Sequence, residues 1–123
     1  MSPALRLCSV LTVVALSLTA CGSDDSKDVK ATRDSSGNQT VDVTFEGDSV
    51  TPEGAKVEVK AGDPLTLHIK ADKPGEIHVH SSPEQEIEYP SGTTDKTLTL
   101  DQPGVVEVES HSLDKLILQL EVR

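Results

Sequence analysis

Val57-Glu58-Val59-Lys60-Ala61-Gly62-Asp63-Pro64-Leu65-Thr66-Leu67-His68-Ile69 holds two short runs of alternating apolar and polar residues, separated by a Gly-Asp-Pro turn. Alternation with period two places Val57 and Val59, then Leu65, Leu67 and Ile69, on one face of an extended chain. Their polar neighbours face the other way, which is the mark of half-buried strands. Glycine, aspartate and proline between the runs supply the turn.

The same pattern extends in both directions. Upstream lie Val41, Val43 and Phe45, closed by Glu46-Gly47-Asp48 and followed by Pro52-Glu53-Gly54. Downstream come Ile77 and Val79, Ile87 and Tyr89, Leu98 and Leu100, Val106 and Val108, and a last run of Leu116, Leu118, Leu120 and Val122. Turn signals at Asp72-Lys73-Pro74-Gly75, Pro90-Ser91-Gly92 and Gln102-Pro103-Gly104 separate them. Strands recurring about every ten residues, with no helical stripe, predict an all-β domain over 40–123. Seven or eight strands are expected, in an antiparallel sandwich or barrel. With one Phe, one Tyr and no Trp, its core must be built from Val, Leu and Ile. Ile117 makes the last run apolar on both faces, so that strand is expected to be central or covered.

One strand carries an unusual outer face. In Glu76-Ile77-His78-Val79-His80 the alternation sends Ile77 and Val79 inward and leaves Glu76, His78 and His80 together. Imidazole is the commonest transition-metal ligand, and two of them roughly 7 Å apart along a strand can converge on one ion. His68 sits on the polar parity of its own strand and is expected to be solvated. Glu84, Glu86 and Glu88 alternate with Gln85 and Ile87 and are expected to form a charged, solvated edge of the kind that discourages sheet-to-sheet aggregation.

The first twenty residues are of a different kind. One basic residue, Arg6, precedes an uncharged and largely apolar run from Leu7 to Ala20, too short for a spanning helix and suited to an export signal. It ends in Leu18-Thr19-Ala20-Cys21, which resembles the bacterial lipobox; the resemblance implies that Cys21 is acylated and becomes the mature N-terminus. Residues 21–39, GSDDSKDVKATRDSSGNQ after Cys21, lack periodicity and are expected to form a flexible tether spanning roughly 25 Å. Cys8 and Cys21 are the two cysteines, so the domain beyond the tether has neither disulfide nor free thiol.

The net charge is −10, and loss of Arg6 with the signal makes it one unit more negative. Such a surface repels phosphate backbones, so nucleic acid is not an expected partner. No nucleophile turn, phosphate-binding glycine loop or HExxH helix is present, and the chain is not expected to be an enzyme.

Three stretches together resemble a cupredoxin domain. Val50-Thr51-Pro52, then Val57-Glu58-Val59 with Gly62-Asp63-Pro64-Leu65-Thr66-Leu67, look like that family's opening strands. Gln102-Pro103-Gly104-Val105-Val106-Glu107-Val108-Glu109 looks like the strand that delivers its later metal ligands, and Glu76–His80 falls where its first histidine ligand sits. The resemblance implies a Greek-key β-sandwich. The His-x-His motif and the acidity are similar to the lipoprotein and iron-transport-associated branch.

The departures from the family bear on the chemistry. The position of the family's cysteine ligand falls near Ser110, and beyond Cys21 the chain has neither Cys nor Met, so a thiolate-bound blue-copper centre is not expected. His111 follows Ser110 and becomes the third nitrogen. The expected site is His78, His80 and His111, with Glu76 or Glu109 as an oxygen ligand or supporting partner. These ligands favour one copper ion, then zinc or iron. The expected protein is a monomeric lipoprotein, anchored outside the cytoplasm through Cys21, that binds copper or hands it to a metal-transport or envelope protein. A second reading stays open: a β-sandwich lipoprotein without metal that serves as an interaction module for an envelope protein.

Overall fold

The computed structural model describes Val29 and residues 31–123. The expected signal peptide, Cys21 and most of the tether lie outside the described residues. Ten strands form two five-stranded sheets, and no helix occurs among the described residues.

The first sheet contains β1 (Thr32–Arg33), β2 (Gln39–Glu46), β3 (Ser49–Thr51), β5 (Pro64–Ala71) and β8 (Gly92–Thr99). Its order is β1-β2-β5-β8, with β3 also paired to β2. The second contains β4 (Ala55–Val59), β6 (Gly75–Val79), β7 (Gln85–Tyr89), β9 (Gly104–Ser110) and β10 (Lys115–Val122), in the order β4-β10-β9-β6-β7.

Alternation delivers the core as expected. Val41, Val43, Leu65, Leu67, Ile69, Ile77, Val79, Val108, Leu118 and Leu120 are all buried. Each buried aliphatic side chain stabilises the sandwich by about 1.5–3 kcal/mol relative to exposure. The chain's single Phe and single Tyr meet across the sandwich: Phe45 of β2 and Tyr89 of β7 stack with ring centroids 4.7 Å apart.

Three details differ from the sequence reading. First, the sheets are mixed, because β2 pairs with β5 and β4 with β10 in parallel. Period-two patterning reports which face of a strand is buried and is silent on which strand lies beside it. Second, the end of the expected tether is structured. Thr32 and Arg33 pair with Thr40 and Gln39. The intervening turn is held by Asp34, whose carboxylate accepts hydrogen bonds from the backbone N–H of Ser36 and Asn38. Bonds from Asn38 and the turn backbone hold the Asp34 carboxyl below its ordinary value. Gly37 takes φ +87°, a conformation glycine adopts without steric cost. Third, β3 and β1 raise the strand count to ten, because strands this short carry too few residues to show a period.

Ile117 is resolved by a β-bulge. On β10, Leu116 faces Glu109 and Leu118 faces Val108, so Ile117 is the extra residue between them and is fully buried. β10 itself is central, between β4 and β9.

Candidate metal centre

The outer face of the second sheet gathers the candidate ligands at one end. His78 lies near the end of β6, opposite Glu109 of β9 on one side and Glu86 of β7 on the other. His80 is one residue beyond β6, where its backbone N–H donates to the Glu107 carbonyl at 2.8 Å and holds it beside β9. His111 opens the turn between β9 and β10, which closes through the Asp114 N–H donating to the His111 carbonyl at 3.2 Å.

Two adjacent donor sets result. In one, the Glu109 carboxylate lies between two imidazoles, with Oε2 3.0 Å from His80 Nε2 and 3.6 Å from His111 Nε2. These separations bracket the about 3.3 Å expected between donors of a tetrahedral ion bound at about 2.0–2.1 Å. In the other, His78 is flanked by carboxylates on both ring nitrogens: Nε2 contacts Glu76, and Nδ1 is 3.5 Å from Glu84 Oε1. Ligating atoms of Glu76, His78 and Glu86 lie within 4.8 Å of one another, as do those of His80, Glu109 and His111.

Accessibility differs between the sets. The His78 side chain is 13% exposed, whereas His80 and His111 are 38% and 55% exposed. Donating a hydrogen bond to the Glu76 carboxylate raises the His78 pKa above its ordinary value; partial burial opposes this and Glu84 adds to it.

The expected three-histidine cluster is thus brought together as rings and divided as donors. His78 and His111 stack, and the His80 ring lies 5.9 Å from that of His111. His78 nevertheless directs its nitrogens to Glu76 and Glu84, and the His80–Glu109–His111 set does not include it. Glu76 and Glu109, expected as an oxygen ligand or supporting partner, each fall in a different set. His68 lies apart on β5 of the other sheet, where it is partnered by Asp95 of β8. Ser110 is fully buried, with its hydroxyl 3.2 Å from that of Ser112.

The sequence reading assigns Glu84 and Glu86 only to a solvated edge. The signal that points further is that two period-two runs, Glu76-x-His78 and Glu84-x-Glu86, flank a short loop. In a hairpin they share one face or lie on opposite faces according to the register, and the loop fixes the register that sets Glu86 opposite His78.

No protein-family model and no curated protein matches the chain. Solved structures do resemble it in fold. The metal-binding domain of the Streptococcus pneumoniae D39 Cu(I)-exporting P-type ATPase CopA, with Cu(I), aligns with a TM-score of 0.58 at 16% identity. That alignment covers 80% of this chain and 97% of that one. A copper binding protein solved by NMR in the apo form gives 0.56 at 17% identity, over 76% of this chain and 94% of that one. A point mutant of amicyanin, Cu(I), gives 0.52 at 13% identity, over 68% of this chain and 82% of that one. The fold is therefore a cupredoxin-like β-sandwich.

Proposed function

We propose that this chain is a copper-binding lipoprotein domain, anchored to the membrane through acylated Cys21 and facing outside the cytoplasm. It holds a copper ion, or hands it to a metal-transport or envelope protein, without catalysing a reaction. The observation that carries the reading is the Glu109 carboxylate set between the His80 and His111 imidazoles. Two imidazoles and one carboxylate suit Cu(II) first and Zn(II) next among divalent ions, and offer no soft sulfur. The exposure of His80 and His111 leaves room for an ion to enter and leave. The fold shared with copper-binding domains supports the reading, and the site itself rests on the residues of this chain.

The test is a Cu(II) titration followed by calorimetry and electron paramagnetic resonance, with the His80→Ala/His111→Ala double variant and His68→Ala as controls. The reading expects one copper ion with nitrogen hyperfine coupling that the double variant loses and His68→Ala retains. Equal affinity in the double variant would reject it. The anchor is tested separately: the mature protein should partition into detergent, and Cys21→Ser should remain in the aqueous phase.

A further inference from the structure

His78 sits among carboxylates. Its two ring nitrogens face Glu76 at Nε2 and Glu84 at Nδ1, and ligating atoms of Glu76, His78 and Glu86 lie within 4.8 Å of one another. Glu86, directly opposite His78 across the β6–β7 ladder, brings a third carboxylate. Among the described residues, no Lys or Arg forms a salt bridge with Glu76, Glu84 or Glu86.

The position is also built. The His78 side chain is largely buried, and its ring is fixed in plane by the stack on His111. Glu76 and His78 project from the same face of β6, so strand geometry rather than a loop sets their spacing. Glu86 lies on β7, the edge strand of its sheet, and is exposed, which leaves a path for an ion.

We propose that Glu76, His78 and Glu86, with Glu84 beside them, form a second divalent-cation site, distinct from His80–Glu109–His111 and separated from it by the His78–His111 stack. One imidazole with two or three carboxylates is a harder donor set than two imidazoles with one carboxylate. It therefore takes a borderline or hard divalent ion such as Zn(II) or Mn(II) in preference to Cu(I). With both sites filled, the charge of two divalent ions is matched by Glu76, Glu84, Glu86 and Glu109. That balance permits two cations on neighbouring strands.

The test uses the full chain with Cys8 and Cys21 alkylated, and Zn(II) as the probe. Equilibrium dialysis should give two zinc ions per wild-type chain and one in His80→Ala/Glu109→Gln, which keeps the His111 ring stacked on His78. In that background, zinc should shift the His78 ring nitrogens in a 15N-detected NMR spectrum. Adding Glu76→Gln and Glu86→Gln should weaken this remaining ion at least about tenfold. Far-UV circular dichroism checks that each variant keeps its sheet. The proposal is overturned if His80→Ala/Glu109→Gln binds no zinc, or if its zinc is indifferent to Glu76→Gln/Glu86→Gln. Failure of the copper reading shows elsewhere, as Cu(II) affinity unchanged by His80→Ala/His111→Ala, and leaves the zinc result standing.

Discussion

The imidazoles of His78 and His111 lie face to face, with ring centroids 3.9 Å apart and planes 11° from parallel. The contact joins the two donor sets while both nitrogens of His78 point to carboxylates. A ligand that binds only the folded chain stabilises it by about 2.7 kcal/mol at one hundred times its dissociation constant. For a domain of this size that raises Tm by roughly 10 °C or more. Copper at that excess should produce such a shift in the wild type, read by differential scanning calorimetry. His111→Ala should bind at least about tenfold more weakly, a loss of about 1.4 kcal/mol, and show a visibly smaller shift. An unchanged shift would remove His111 from the site.

The metal-free protein should lose stability as pH rises past neutrality. The folded pKa of His78 lies above the ordinary 6.5, chiefly through its hydrogen bond with Glu76. A raised imidazole pKa contributes stability that is fully present below the unfolded value and disappears as pH rises through the folded one. Charged groups around His78 come from three elements: Glu76 on β6, Glu84 and Glu86 at β7, and Glu109 on β9. The urea midpoint of wild type over Glu76→Gln, in chelator, should therefore be largest near pH 6 and shrink at alkaline pH. A difference independent of pH would show that this ion pair does not form in solution.

Gly75 is required by Tyr89. The two face each other across the β6–β7 ladder, and a Cβ on residue 75 would overlap the Tyr89 hydroxyl and lie 2.7 Å from its Cζ. Overpacking of this kind costs about 1–3 kcal/mol. Gly75→Ala should lower stability by that amount in chemical denaturation, and adding Tyr89→Phe should recover part of it by removing the nearest atom. Equal losses with and without the second change would mean that the ring simply moves aside.

Ser110 marks the position where the sequence resemblance places a cysteine ligand. It is buried, however, and as the neighbour of Glu109 on β9 it occupies the opposite face of the strand. Ser110→Cys should therefore bind Cu(II) without the intense visible absorption of a copper thiolate. A blue colour on adding copper would show that the turn at His111 can rearrange to bring residue 110 to the metal.

The fold was legible because burial is periodic. Val57, Val59, Leu65, Leu67 and Ile69 announced both the strands and their inward faces, and all five are buried. The parallel pairings were not legible, since no residue on β2 or β4 encodes the identity of its neighbour. The β1 turn was hidden because DSSGN is polar whether it is loose or capped by Asp34. The candidate site was legible in composition and less so in geometry. The His-x-His spacing pointed to this end of β6 and His111 to the facing turn. The division into two donor sets depends on which carboxylate each ring nitrogen meets, and Glu84 and Glu86 enter only through the hairpin register.

β10 lies between β4 and β9, hydrogen-bonded to both. The two pairings differ in how far apart their strands lie in sequence: β9 reaches β10 through the short turn that opens with His111, whereas β4 meets β10 across most of the domain. Closing the long β4–β10 loop carries an entropy cost that the β9–β10 hairpin does not. The His111 turn therefore belongs to a local hairpin, while His78 and His80 reach it only through the non-local pairing of β6 with β9.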